Sequence, residues 1–290
     1  MVLQVILWES RALPGFFIFW ILLYNVGGRH KVCPLRLIHY RLNRSVDWRI
    51  GRLENWLIGE LANWRIGKLI NLGNTLKIIS FDVDGTLVDL EYNNLVWFKE
   101  IPQLVAQKKK IGFEESIKLV QDEYNKLGEH NLNWYDIKYW ISYFGLGISY
   151  KKILEKYEPQ IKIFPDVVPI LKELKKDFTL ISITTMPREF LVPKMKKLKK
   201  YFKYIFSSLS DFKEIKNSEI YLRICQKLKV KPEQVLHIGD HWEFDYLAAK
   251  KIGMNVLFLD RTNSKKEEFI INSLQQIKKK IENNGNYISK

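Results

Sequence analysis

From residue 77 onward, apolar residues gather in short runs that alternate with segments of helical periodicity. Five runs have the length and composition of buried strands, namely 77–83, 178–184, 204–208, 235–239 and 255–259. Between 166 and 260 the alternation of strands and helices is regular, which predicts βαβ crossovers and a parallel sheet covered on both faces. The predicted fold class is α/β, with a Rossmann-like, doubly wound parallel sheet.

The first two predicted strands are separated by a long stretch that contains only helical patterns. These patterns cover about 91–110, 113–128, 133–145 and 149–158. An insertion directly after the first strand stands over the carboxyl edge of the sheet, where doubly wound folds bind ligands. We therefore expect a helical lid over 89–161. The remaining expected parts are a core made of 76–88 and 162–262, and a C-terminal helix with a polar tail over 263–290.

An apolar segment near the N-terminus raises the question of a membrane anchor. Residues 15–24 are strongly apolar, but Pro14 precedes them and Asn25 follows. The segment is therefore shorter than the ~20 residues that a membrane-spanning helix needs. No small-residue cleavage site of a signal peptide follows it. We expect a membrane partner only if the first 75 residues belong to the native protein, in which case they form a weak anchor.

A short repeat follows this segment. Three near-identical octapeptides begin at Trp48, Trp56 and Trp64. Because a period of eight drifts around a helix of 3.6 residues per turn, no single face collects the apolar residues. We interpret residues 1–75 as upstream sequence translated from a misplaced start codon. Tryptic peptides from residues 45–75 in the native protein would contradict this hypothesis.

The composition indicates a globular protein, with 47% hydrophobic residues. Cys33 and Cys225 are its two cysteines, which excludes a disulfide framework or a Cys-based zinc site and fits a cytoplasmic location. The net charge of +15 comes largely from lysines on predicted helices, as in 194–200 and 277–281. Since arginine clusters and aromatic-basic motifs are missing, we interpret these as solvated helix faces and expect no nucleic-acid partner.

Acidic residues follow two of the predicted strands at the point where each strand ends. Asp82 and Asp84 end the first strand, with Gly85 allowing a sharp turn, and Asp240 and Asp245 follow the fourth. Because the carboxyl ends of parallel strands lie at one edge, we expect Asp82, Asp84 and Asp240 to converge. Two carboxylates about 4 Å apart repel by roughly 4 kcal/mol at an effective dielectric constant of ~20. A cation is therefore expected, and all-oxygen ligands indicate Mg²⁺.

Two motifs carry a resemblance to a known family. "DVDGT" at 82–86 and "GDHWEFD" at 239–245 match the D-x-D-G-T and G-D-x-x-x-x-D motifs of the haloacid dehalogenase-like hydrolase superfamily. With a lysine between the motifs and a helical insertion of C1 type, the chain resembles the C1-capped phosphatases of this superfamily over about residues 77–262. The resemblance implies a Mg²⁺-dependent hydrolase that acts on a phosphate ester.

The resemblance also implies roles for the acidic residues. Asp82 is expected to attack phosphorus and form an aspartyl-phosphate, and Asp84 to protonate the leaving oxygen and then activate water. The metal ligands are expected to be Asp82, the backbone carbonyl of Asp84, and Asp240, with Asp245 orienting the site. An acid at Asp84 favours phosphoryl transfer over dehalogenation, because a halide leaves without a proton.

The phosphoryl oxygens are expected to lie near backbone N–H groups after the first strand, at Gly85 and Thr86. A threonine of the second strand is expected to bind them as well. The family usually follows this threonine with asparagine, so we prefer Thr184 as the ligand, with Thr185 in the place of the asparagine.

The site lysine has two candidates, because neither spacing matches the expected one. Lys216 is preferred, and Lys213 is the alternative.

The resulting functional prediction is a cytoplasmic phosphatase that hydrolyses a small phosphorylated metabolite. A phosphomutase of the same superfamily uses the same residues and remains an alternative. From a different class, the chain can be a membrane-anchored or nucleic-acid-binding module on an inactive hydrolase scaffold. The sequence predicts no oligomeric state.

Overall fold

Three strands near the N-terminus form an antiparallel sheet of their own. The computed structural model describes residues 3–10, 17–26, 29–34, 76–264 and 267–283. The first three segments are the strands β1 (Leu3–Ser10), β2 (Phe17–Val26) and β3 (Arg29–Pro34), and β2 pairs with both neighbours. Most of the apolar segment 15–24 is thus strand rather than helix. The octapeptide repeat from Trp48 lies outside the described residues. No helix in the described parts of the chain is long and apolar enough to cross a bilayer.

A second sheet, of six parallel strands, follows residue 76. Its strands in chain order are β4 (Ile78–Phe81), β5 (Thr179–Thr184), β6 (Tyr204–Ser207), β7 (Val235–Gly239), β8 (Asn255–Leu259) and β9 (Ile270–Ile271). The spatial order is β6-β5-β4-β7-β8-β9, so the first strand of the core lies near the centre. From β4 the chain moves outward through β5 and β6, and it then crosses to the other side of β4 and moves outward through β7, β8 and β9, as in doubly wound folds. The predicted α/β class with a parallel sheet is confirmed.

The helices of the core cover both faces of this sheet. They are α6 (Val167–Leu174), α7 (Arg188–Met195), α8 (Ser218–Leu228), α9 (Ala248–Lys251) and α10 (Gln276–Asn283), and a π-helical segment (Trp242–Leu247) runs directly into α9. Successive residues of β4 point to opposite faces, so Ile78 packs in one apolar cluster while Ile79 and Phe81 pack in the other. Because both faces are buried, the strands read as continuous apolar runs.

The inserted lid is helical throughout its described elements. It contains α1 (Glu91–Asn94), a π-helical segment (Leu95–Glu100) and α2 (Ile101–Lys109), which run consecutively, then α3 (Phe113–Leu127), α4 (Ile137–Tyr143) and α5 (Tyr150–Tyr157). Asp136 caps α4 by accepting a hydrogen bond from the backbone N–H of Lys138 at 2.8 Å. Ile137 and Trp140 on α4 are fully or almost fully buried and form the lid core, with the Tyr124 ring 4.6 Å from that of Trp140.

Candidate active site

The loop after β4 carries the first two acidic residues. The backbone N–H of Asp82 still bonds the carbonyl of Ile238 at 2.9 Å, which ties the end of β4 to β7. The chain then turns, with Leu87 N–H donating to the Val83 carbonyl at 2.8 Å and Gly85 at φ +70°. A left-handed φ of this kind suits glycine, because a Cβ atom is strained there. The turn leaves Asp82 buried and the Asp84 side chain 22% exposed.

The second acidic pair meets Asp82 at the same edge of the sheet, and the Asp84 side chain, which was expected to converge there, is not part of this cluster. One carboxylate oxygen each from Asp82, Asp240 and Asp245 lie within 4.8 Å of one another. Thr86 Oγ1 donates to Asp240 Oδ1 at 2.8 Å and fixes that carboxylate against the loop. Asp245 lies in the π-helical segment Trp242–Leu247, which returns its side chain to the end of β7. Irregular helical turns of this type are frequent at functional sites.

A buried lysine joins two of these carboxylates. Lys216 Nζ donates to Asp82 Oδ1 at 2.6 Å and is also paired with Asp245 Oδ1. Its side chain is 3% exposed. Lys213, the alternative, is exposed and lies at φ +60° at the end of the π-helical segment Ser208–Phe212. The structure therefore places Lys216, and not Lys213, beside the acids.

Asp245 is held by a chain of buried polar groups. Its Oδ1 lies 2.9 Å from His237 Nε2 and accepts from Tyr221 OH at 3.3 Å, while its Oδ2 accepts from the backbone N–H of His241 at 3.0 Å. His237 Nδ1 in turn lies 2.9 Å from Ser80 Oγ. Because protein groups engage both oxygens of Asp245, its geometry suits an orienting residue more than a direct ligand.

The ionisation of the acids reflects their burial. Burial raises the pKa of Asp82 from 3.8 to about 8, against the attraction of Lys216 and with repulsion from Asp245 and Asp240. Burial and then Asp245 raise the pKa of Asp240 to about 7. Burial acts the same way on Asp245, but Lys216 and the His237 hydrogen bond outweigh it and hold the pKa of Asp245 well below its usual range. A hard divalent cation between Asp82 and Asp240 would favour the ionised forms of both carboxylates. Because the donors are all oxygen atoms, this set of residues fits Mg²⁺.

The two threonines at the end of β5 differ in their hydrogen bonding. Thr184 is buried and its Oγ1 accepts from the backbone N–H of Met186 at 3.4 Å. The buried Thr185 hydroxyl has no hydrogen-bond partner among the described residues. Of the two, Thr185 has the hydroxyl with both donor and acceptor unused. The N–H of Gly85 donates to the Val88 carbonyl at 2.8 Å, so this predicted phosphate donor is engaged within the loop.

The family follows from comparison with known sequences. The sequence model of the haloacid dehalogenase-like hydrolases matches residues 76–253, which is more than half of the chain. The chain belongs to this family. The match begins before β4 and extends past Asp245, so it includes both acidic groups of the site. The predicted superfamily is thereby confirmed.

Individual relatives of this hydrolase cover different parts of it. The GMP/IMP nucleotidase YrfG of Escherichia coli (strain K12) is 31% identical over 97 residues, which are 33% of this chain and 42% of the nucleotidase. The putative pyrophosphatase PpaX of Clostridium perfringens (strain 13 / Type A) is 29% identical over 185 residues, 61% of this chain and 81% of PpaX. The chain thus spans less than half the length of the nucleotidase that it matches.

Solved structures share the fold at lower sequence identity. The haloacid dehalogenase-type (HAD) phosphatase from Thermococcus onnurineus has a TM-score of 0.65 at 23% identity, covering 73% of this chain and 100% of that one. A 2-haloacid dehalogenase from Pseudomonas syringae pv. Tomato DC3000 has a TM-score of 0.51 at 20% identity, covering 71% and 98%. These likenesses show the fold of the hydrolase.

Two residues that the sequence analysis did not select contact Asp84. Lys194 on α7 is paired with Asp84 Oδ1, and Asn93 on α1 donates from Nδ2 to Asp84 Oδ2 at 2.6 Å. Lys194 lies in the run 194–200 that we interpreted as a solvated helix face, and for this residue the interpretation is wrong. The spacing held a signal, because Lys194 follows the buried Phe190 and Leu191 by four and three residues and shares their face of the helix.

Arg261, after β8, is a third residue that the sequence analysis missed. Its guanidinium donates to the backbone carbonyls of Gly85 at 3.2 Å and Thr86 at 2.8 Å. It also binds both carboxylate oxygens of Asp166 at 3.1 Å. A planar guanidinium can make these contacts at the same time, so Arg261 connects the loop after β4 to Asp166 in the core of the hydrolase.

Proposed function

We propose that this hydrolase is a cytoplasmic, Mg²⁺-dependent phosphatase that acts on a small phosphorylated metabolite through an aspartyl-phosphate on Asp82. The observation that carries the proposal is the meeting of Asp82, Asp240 and Asp245 within 4.8 Å, with Lys216 on Asp82. Asp84, two residues on, is proposed to give a proton to the leaving oxygen. The lid, as residues 89–161, is proposed to govern which ester enters.

Asp82, the backbone carbonyl of Asp84, and Asp240 would hold Mg²⁺. When bound, the ion supplies positive charge that screens the Asp82 carboxylate from the anionic phosphoryl group. Lys216 fixes Asp82 through Oδ1. The second oxygen, Oδ2, is therefore proposed as the attacking atom.

The reaction proceeds in two displacements at phosphorus. Asp82 Oδ2 bonds phosphorus while the ester P–O bond breaks, and Asp84 gives its proton to the leaving oxygen. Asp84, now ionised, takes a proton from water, whose oxygen attacks phosphorus and breaks the bond to Asp82. Inorganic phosphate and free Asp82 result. The Thr185 hydroxyl, with Thr184 beside it, is proposed to bind the phosphoryl oxygens, because it is buried and unpaired within the described residues.

The named relatives suggest which esters to test first. YrfG is named a nucleotidase for GMP and IMP, and PpaX a putative pyrophosphatase. Nucleoside 5′-monophosphates and pyrophosphate therefore head a panel that also contains glycerol 3-phosphate, phosphoglycolate and hexose phosphates. Release of inorganic phosphate separates a phosphatase from a phosphomutase, which retains the group.

The test is phosphate release by the purified full chain, with Mg²⁺ and with EDTA. We expect release only with Mg²⁺, and we expect Asp82→Asn to fall to the assay blank because it lacks the attacking carboxylate oxygen. Asp177→Asn, an exposed change outside the site, serves as the control and keeps wild-type activity. Identical rates for wild type and Asp82→Asn on every ester would refute the proposal.

A further inference from the structure

Lys194 is a buried lysine that the proposed function does not use. Its side chain is 0% exposed, which is rare for lysine unless the ammonium group is paired. Here Nζ is paired with Asp84 Oδ1, donates to Asn93 Oδ1 at 2.6 Å, and lies 5.3 Å from the centre of the Tyr92 ring. A buried ammonium group is costly unless paired, so these contacts compensate for the burial of the charge.

Asp84, Asn93 and Lys194 form a closed ring of hydrogen bonds. Asn93 receives from Lys194 at its amide oxygen and donates from its amide nitrogen to Asp84 Oδ2 at 2.6 Å. The amide orientation follows from its neighbours, because a lysine only donates and a carboxylate only accepts. Both oxygens of Asp84 are thus held, one from α7 in the core and one from α1 in the lid.

We propose that Lys194 is a positioning residue that, with Asn93, holds the Asp84 carboxyl group in the orientation from which it transfers a proton to the leaving oxygen. The inference rests on the proposed function, since it assigns a task to Asp84 in that reaction. It adds a residue of the core and a residue of the lid to the proton-transfer step.

The need for this positioning follows from the geometry of proton transfer. A general acid acts only within about 2.6–3.2 Å of the atom that it protonates. The Asp84 side chain is 22% exposed and directly precedes a turn, so without its two partners it has free rotamers to adopt. An alkoxide leaving group needs the proton, whereas p-nitrophenolate departs with little help. Loss of positioning is therefore expected to slow alkyl esters far more than p-nitrophenyl phosphate.

The experiment compares these two leaving groups in the Mg²⁺-loaded full chain. The substrates are p-nitrophenyl phosphate and the alkyl phosphate ester that wild type hydrolyses fastest in the panel above. For Lys194→Met we expect kcat to fall by about 10²-fold on the alkyl ester and by less than about 10-fold on p-nitrophenyl phosphate, the scale of a general acid's contribution. Asp84→Asn sets the largest ratio between the two losses.

A second variant and a control separate positioning from folding. Asn93→Ala removes the lid contact without removing a buried charge, and we expect the same selective loss at smaller size. Lys196→Met changes a lysine that is 73% exposed at the end of the same helix and should leave both rates unchanged. If Lys194→Met does not fold, as judged by its melting curve, Asn93→Ala decides the question.

Equal losses on both substrates in Lys194→Met and Asn93→Ala would overturn the inference, as would a raised KM with unchanged kcat. When Asp84→Asn shows the selective loss and the other two variants do not, the inference fails while the proposed function stands. When wild type itself matches Asp82→Asn on every ester, the proposed function fails and the inference with it.

Discussion

At the scale of single residues, two glycines permit the close approach of the acids. A Cβ atom at Gly85 would lie 2.1 Å from Asp240 Oδ2, and one at Gly239 would lie 2.2 Å from Asp245 Cγ. Both distances are far below van der Waals contact. Gly85 therefore makes room for Asp240, which follows the neighbouring strand β7, and Gly239 makes room for Asp245 of its own motif.

Gly85→Ala tests this requirement. The new methyl group meets Asp240, and the left-handed φ of +70° adds strain on the order of 1–3 kcal/mol. We expect a lower melting temperature and a higher Mg²⁺ concentration for half-maximal phosphatase activity. Gly112→Ala is the matched control, because that glycine has φ −64° and open space around its Cβ position. Unchanged Mg²⁺ dependence in Gly85→Ala would contradict this account.

Single residues also show which parts of the site the sequence predicts. Asp82 and Asp240 were predictable as neighbours because each directly follows a strand, and the strands of a parallel sheet share one carboxyl edge. Lys194 and Arg261 were not, because a side chain that reaches across the fold has no fixed spacing from its partner. Lys194 lies 110 residues from Asp84, and Arg261 lies 176 residues from Gly85.

At the scale of elements, Asp166 connects three segments of the core through its carboxylate. It directly precedes α6, binds Arg261 after β8, and accepts from Ser273 Oγ and the backbone N–H of Leu274 at 2.8 Å each. Burial alone would raise its pKa, but the hydrogen bonds from Arg261, Leu274 and Ser273 outweigh burial and lower the pKa below 3.8. The ionised form of Asp166 therefore stabilises the folded protein.

The change Asp166→Asn should destabilise the fold by about 1–3 kcal/mol at pH 7, the scale of hydrogen bonds to a charged group. Since the folded pKa is depressed, this stabilisation is fully present above 3.8 and disappears only as pH falls through the folded value. Urea denaturation should thus give a constant difference from wild type between about pH 5 and 7. The exposed Asp177→Asn is the control, and a difference that already vanishes at pH 5 would contradict the assignment.

The elements themselves were predictable in proportion to their length and periodicity. The five predicted strands all occur, because buried parallel strands read as continuous apolar runs. The two-residue β9 was missed, since two residues show no period, and it lies in a region expected to be helix and polar tail. The apolar segment 15–24 was considered as a membrane helix, but most of it lies in β2. The sequence could not decide between the two, because a short apolar run is compatible with either a helix or a strand.

At the scale of the whole molecule, the buried acids connect metal binding to stability. The unfolded chain releases the protons of Asp82 and Asp240 near 3.8, whereas the fold holds them until about 8 and about 7. Because the folded state then binds more protons than the unfolded state, stability falls as pH rises through this window. A divalent cation bound to these carboxylates stabilises their ionised forms and therefore lowers the pKa of both Asp82 and Asp240.

We therefore expect the metal-free protein to lose stability, by on the order of a few kcal/mol, between about pH 4 and 8. Saturating Mg²⁺ should abolish most of this loss. Urea denaturation in EDTA and in Mg²⁺ at several pH values measures both effects. In Asp240→Asn the loss in EDTA should shrink, since one of the two acids no longer titrates. A metal-free stability that is flat with pH would count against the site.

The buried lysine that holds the proposed nucleophile also sets the charge balance of the site. Three carboxylates, those of Asp82, Asp240 and Asp245, surround the ammonium group of Lys216. When all three are ionised, two negative charges remain, which is the charge that one divalent ion cancels. A monovalent ion would leave the same groups anionic. Only an ion of charge +2 therefore keeps the cavity neutral while Asp82 is ionised for attack on a phosphate dianion, which predicts an obligatory order of metal first and ester second.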